Sequence, residues 1–144
     1  MIDTLPGINT IASALSAERT RMDVVTQNIA NANTTRTADG KVYQRQQVVF
    51  ESLLQQRQGA TGADAGIHQV RVARVQADPR PPRLVYNPGH PEANADGMVA
   101  MPDINVYEEM VDLIAASRSY EANLAAFKNA RSMALQTLSI GKRS

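Results

Sequence analysis

Apolar or small residues at Ile8, Ile11, Leu15, Met22, Val25, Ile29 and Ala32 keep to one stripe at spacings of three and four, with Glu18 as the single break. That period predicts a helix with a narrow apolar seam over about 5–32, about 40 Å long. Thr4 is a candidate cap with Pro6 in the first turn, and Asn31 and Asn33, which tolerate left-handed backbone, suit its end. The same rhythm returns near the other end of the chain at Val106, Met110, Leu113, Ser117, Tyr120, Leu124, Phe127, Arg131, Ala134 and Leu138. A second, longer helix is predicted over 105–140. Asn105 stands at its cap with Glu108 reaching back, and Gly141, Lys142 and Arg143 suit the end where carbonyls are unpaired.

Between these stretches the helical period disappears. Val42–Phe50 and Val70–Val75 hold β-branched residues in partial alternation and predict strands or hairpins. Ala38-Asp39-Gly40 predicts a tight turn, and the Gln/Gly/Ala-rich stretch 55–66 has too little apolar content to pack, which predicts a mobile loop. Five prolines between Pro79 and Pro91 predict an extended segment, with at most edge pairing around Leu84-Val85-Tyr86.

The expected fold is therefore α+β and mainly α, with two long terminal helices paired antiparallel in a coiled-coil-like manner and a small irregular β region between them. The divisions are 1–33, 34–104 and 105–144. One helix pair can bury one stripe per helix. Ile11, Leu15, Met22, Val25 and Ile29 are expected to face Met110, Leu113, Tyr120, Leu124 and Phe127, with Leu138 extending the second stripe. Val24, Val111, Ile114 and Ala125 lie beside or off these stripes and call for neighbours, which points to an oligomeric or polymeric protein.

Composition sharpens this picture. In 144 residues only 4% are aromatic and Trp is absent, so any core is made of Ala, Val, Leu, Ile and Met, which suits close helix contacts. Fifteen Lys and Arg against 14 Asp and Glu leave a net charge of +1, too little for a strong field toward nucleic acid or an anionic membrane. Absence of cysteine removes disulfides, thiol catalysis and thiolate metal sites. The chain opens Met1-Ile2-Asp3 and its first apolar stretch is interrupted by polar residues, so neither a Sec-type signal nor a membrane-spanning segment is expected.

Candidate chemistry is sparse. His90, Glu92 and Asp96 offer nitrogen and oxygen donors, but no second histidine stands at ligand spacing, and a Pro-rich turn with a locally bonded imidazole is the expectation. No nucleophile elbow, His-Glu-x-x-His helix or phosphate loop occurs. Glu108 and Glu109 read as first-turn carboxylates stabilised by the helix dipole. Arg71, Arg74, Arg80 and Arg83 form a loose basic strip interrupted by Asp78 and read as a solvated or subunit-facing face. No enzyme, cofactor, metal, nucleic acid or small-molecule substrate is expected.

The run Asn28-Ile29-Ala30-Asn31-Ala32-Asn33-Thr34 resembles the helix-end motif of the bacterial flagellar rod and hook proteins. Val85-Tyr86-Asn87-Pro88-Gly89-His90-Pro91-Glu92-Ala93, Gly97-Met98-Val99 and Met101-Pro102-Asp103-Ile104 are similar to the signature of its proximal-rod members, which often carry an aromatic residue in place of Met98. Glu109 to Asn123 and Leu138 to Gly141 continue the likeness. The resemblance implies a structural subunit of the basal-body rod, exported through the flagellum-specific type III apparatus and polymerised with copies of itself and other rod proteins into a torque-bearing periplasmic shaft. It further implies that both terminal helices lie in an inner layer lining an export channel. The rival expectation from the residues alone is a helical-hairpin binding module that recruits one protein partner and forms no polymer.

Overall fold

In chain order the elements are α1 (Pro6–Ala30), β1 (Gln46–Gln56), β2 (Gly66–Ala77), β3 (Arg83–Tyr86), β4 (Met98–Met101) and α2 (Val106–Gly141). The computed structural model describes residues 6–56 and 66–141. The Thr4 cap, Lys142, Arg143 and the 57–65 part of the expected loop lie outside the described residues.

Asn28 meets Glu109 while Arg21 meets Asp112, so stepping back along α1 moves forward along α2 and the two helices run antiparallel. With 25 and 36 residues they are about 37 and 54 Å long, so α2 extends beyond the described part of α1. Asn105 caps α2 as its sequence suggests: its Oδ1 accepts from Tyr107 N at 3.1 Å. Glu108 reaches the Asn105 side-chain amide at 3.1 Å rather than its backbone. Helix α1 ends without left-handed residues, since no residue other than glycine has positive φ among those described. It tightens instead into turns, with Ala32 N donating to Ile29 O at 3.3 Å and Thr34 N to Asn31 O at 3.0 Å.

Strands β1 and β2 form an antiparallel ladder from Gln46↔Ala77 to Gln56↔Gly66, with a bulge at Val49/Phe50 that leaves Ala73 without a partner. The expected strands are thus displaced and lengthened. Residues 42–45 belong to the approach from α1, and Gln55, Gln56 and Gly66, expected in the loop, are paired, because ladder bonds join backbones whatever the apolar content. The expected turn is present: Gly40 has φ 74 and its N–H donates to Thr37 O at 2.9 Å. Leu84-Val85-Tyr86 does more than line an edge, since β3 pairs with β4 as a second two-stranded antiparallel sheet.

The hidden apolar residues are mostly small: Ala17, Val24, Val25, Ala32, Val99, Ile104 and Ala116. The fold is α+β and mainly α. Against expectation, the three largest fully buried side chains are Glu109, Asn28 and Pro102, so a polar pair occupies the place of a bulky apolar core.

Candidate functional site

Two features distinguish the molecule: a buried polar junction where the elements converge, and uncovered apolar patches toward the two ends of α2. The junction starts from Asn28, on the last full turn of α1. Its Nδ2 donates to Gln46 O and to Glu109 Oε2, both at 2.9 Å. Its Oδ1 accepts from Gln46 N at 2.9 Å and from Tyr43 Oη at 3.1 Å. These four bonds exhaust the amide's capacity. The pair of bonds to Gln46 imitates a strand partner at the first residue of β1, so the side chain ties α1 to the ladder and to α2 together.

Glu109 is 1% exposed. Its second oxygen accepts from Arg45 Nε at 2.6 Å. A carboxylate removed from water needs such a partner, because isolated burial of the charge is strongly unfavourable. Arg45 also lies 3.7 Å from Asp78 and 3.8 Å from Asp112, and its carbonyl accepts from Asp78 N at 2.7 Å. Burial, and then the charge on Glu109, raise the Tyr43 phenol above its usual value, which keeps the hydroxyl a donor to Asn28.

Asp78 closes the far side, just past β2. Arg80 grips it through its guanidinium at 2.9 and 3.0 Å and its backbone N–H at 3.1 Å, and Gln47 Nε2 donates at 2.6 Å. These bonds, the Arg80 side chain first, lower the carboxyl to about 2 despite its burial. Arg80 reaches on to Asp103 at 3.0 Å, immediately before α2. Of the basic strip, Arg80 is thus tied to acidic groups, and Arg71 pairs with Glu51 across the β1–β2 ladder.

The remaining motif residues shape turns. Asn31 Nδ2 donates to Gln27 O at 2.9 Å and its Oδ1 accepts from Thr34 Oγ1 at 3.1 Å, securing the end of α1. His90 Nδ1 accepts from Glu92 N at 3.1 Å inside the turn after Pro88, beside the exposed Pro91. Gly97 has φ 72, and a Cβ there would lie 3.0 Å from the Tyr86 ring and 3.1 Å from Pro88 Cβ. Pro102 is fully buried before α2. Among the described residues no group of three His, Asp or Glu is placed to hold a metal ion, and no helix is long and apolar enough to cross a membrane.

Along the helices, Ile11, Leu15, Met22, Ile29, Leu113, Tyr120, Leu124 and Phe127 are half-buried, and Val25 is buried. Two expectations are corrected. Val24, expected to face outward, is buried within the chain at 6% exposure, where α1 packs against the first sheet as well as α2. Met110, expected on the inner stripe, is 46% exposed. The inward stripe of α2 runs through buried Glu109 and Ala116 and half-buried Leu113 and Tyr120, and Met110 lies one helical step round from it. A glutamate at the seam position was the signal available in the sequence, but polarity alone argued against reading it as interior. Val111 at 66% and Ile114 at 56% are exposed with Tyr107 in the first turns of α2, and Leu138 at 68% is exposed with Met133, Leu135 and Ile140 in its last turns, so two apolar patches stand uncovered, one toward each end of the helix.

Residues 8–36 match a family model described as flagella basal body rod protein, and residues 95–140 match one described as flagellar basal body rod FlgEFG protein C-terminal. The two matched segments cover all but the first two residues of α1 and the last residue of α2, and Asn28 and Glu109 belong one to each, whereas Arg45 and Asp78 belong to neither. The chain is thus of the class of flagellar basal-body rod proteins. It is 44% identical to the flagellar basal-body rod protein FlgC of Yersinia enterocolitica over 90% of this chain and 92% of that protein. The FlgC proteins of Borreliella burgdorferi and Bacillus subtilis are each 40% identical, over 92% and 94% of this chain and 94% and 96% of theirs. The chain belongs to the FlgC family, and its role is that of a structural subunit of the rod, not of an enzyme.

Proposed function

We propose that this subunit polymerises with copies of itself and with other rod proteins into the periplasmic shaft that transmits torque, after passage through the flagellar type III export apparatus. The observation that carries the reading is the apolar surface left uncovered toward both ends of α2, Val111 and Ile114 in its first turns and Met133, Leu138 and Ile140 in its last. Packed neighbouring helices would cover both patches. A heterologous contact of this kind, repeated about an axis, propagates instead of closing, as a tube requires. Load is then spread over many van der Waals contacts. In this reading α1 and α2 form a coiled-coil-like inner layer, and the β segment 34–104 packs outside it. Residues Tyr86, Pro88, His90, Pro91, Gly97 and Pro102 hold the shape of that outer segment.

A strain lacking this subunit, tested for swimming and imaged for basal-body intermediates, addresses the reading directly: incomplete rods are expected. Light scattering on the purified chain, alone and with other rod proteins, distinguishes growth from pairing. Scattering that stops at a one-to-one complex would favour a hairpin module that recruits a single partner.

A further inference from the structure

We infer that the Asn28–Glu109 pair is a register lock, the feature that selects one axial alignment of α1 against α2. The apolar seam is poorly suited to do so. Its fully hidden members on the helices, Ala17, Val24, Val25 and Ala116, are small and smooth, and the 3–4 spacing repeats after every seven residues. A slide by one heptad exchanges Leu15, Met22 and Ile29 among themselves and Leu113, Tyr120 and Phe127 among themselves, so the half-buried stripe meets apolar residues again at these positions.

The polar pair has no such equivalent positions. Asn28 is 0% exposed and spends all four bonding positions on fixed partners, two of them the backbone of Gln46. Sliding α2 by a single turn carries Glu109 about 5 Å away. It would strand a buried carboxylate from both Asn28 and Arg45 while leaving the amide one bond short. The alternatives are thus disfavoured by what they leave unpaired, as a buried asparagine does at a coiled-coil seam. Arg45 acts with the lock, lying 3.7 Å from Asp78 beside the ladder and 3.8 Å from Asp112, which α2 carries with Glu109. The lock is a property of the single chain and stands or falls apart from rod assembly.

Absence of cysteine makes the test direct. Spin labels on Asp23→Cys and Arg118→Cys, both at exposed helix positions, report the axial offset in the full-length chain by electron–electron dipolar distance measurement. The parent labelled chain is expected to give one narrow distance. Adding Asn28→Leu with Glu109→Leu is expected to retain the helical circular dichroism but introduce a second population, shifted by about 5 Å for one turn or about 10 Å for a heptad. A single unchanged distance in that variant would overturn the proposal, as would a broad distribution in the parent. Should the double variant lose its helical signal, Asn28→Ala decides: broadening at parental helicity supports the lock, and an unchanged narrow distance overturns it.

Discussion

The side-chain amide of Asn28 donates to Glu109 Oε2 at 2.9 Å, joining two residues 81 positions apart, one near the end of the first helix and one in the first turn of the second. Through Arg45 and Asp78 this bond connects both helices to the first residues of the β1–β2 ladder. The junction holds the helix pair and the β region in one arrangement.

Arg45→Ala leaves Glu109 buried without its cation. Breaking a buried pair from one side is expected to cost about 3 kcal/mol, seen as a lower urea midpoint. Arg45→Lys should recover only part of it, since an ammonium cannot address Glu109, Asp78 and Asp112 as a fork. Equal midpoints for Arg45→Ala and the parent would contradict the account of the junction.

Asp78 provides an acid signature. Its carboxyl is held at about 2 in the fold, against about 3.9 in an unfolded chain. A lowered native value means that the contribution is complete above about pH 4 and disappears as pH falls through about 2. Asp78→Asn should therefore flatten the loss of stability between those limits. The check is denaturant unfolding at a series of pH values; parallel curves for parent and variant would remove Asp78 from the explanation.

The two left-handed glycines separate backbone strain from collision. Gly40 has φ 74 with nothing nearer than 3.9 Å to an added Cβ, so Gly40→Ala should cost about 1 kcal/mol from conformation alone. Gly97→Ala meets Tyr86 and Pro88 at 3.0 and 3.1 Å in addition, and is expected to cost about 1 kcal/mol more. Comparing their melting midpoints measures the difference.

Exposed and buried valines should behave oppositely. Val111→Asp with Ile114→Asp is expected to change subunit stability by less than about 0.5 kcal/mol while abolishing rod assembly and swimming. Val24→Asp should instead unfold the subunit, because a charge would be placed at a site closed to water. Normal motility with both α2 charges in place would exclude that face from assembly.

Much of this molecule is legible in its sequence. Period 3–4 spacing placed both helices within two residues of their observed described ends, and Asn105 and Gly40 marked a cap and a turn, because these features depend on residues close in sequence. Resemblance of the helix-end and Tyr86–Pro102 motifs pointed to the family. The strand limits were less legible, since the pairing of Gln46–Gln56 with Gly66–Ala77 is made by backbone groups that every residue carries.

The interior of the junction was not legible. Nothing local distinguishes Glu109 from Glu108, yet one is hidden and the other exposed, because the choice depends on Arg45 and Asn28 arriving from distant parts of the chain. Met110 and Val24 exchanged their expected faces for the same reason: periodicity specifies a stripe only to within one helical step, and packing against α1 and the first sheet selects the rotation. The order of residues thus dictated helices, turns and an excess of apolar surface, all short-range consequences of side-chain type. Which charge could lie inside, and which valine outside, was decided only when remote partners could satisfy the one and cover the other.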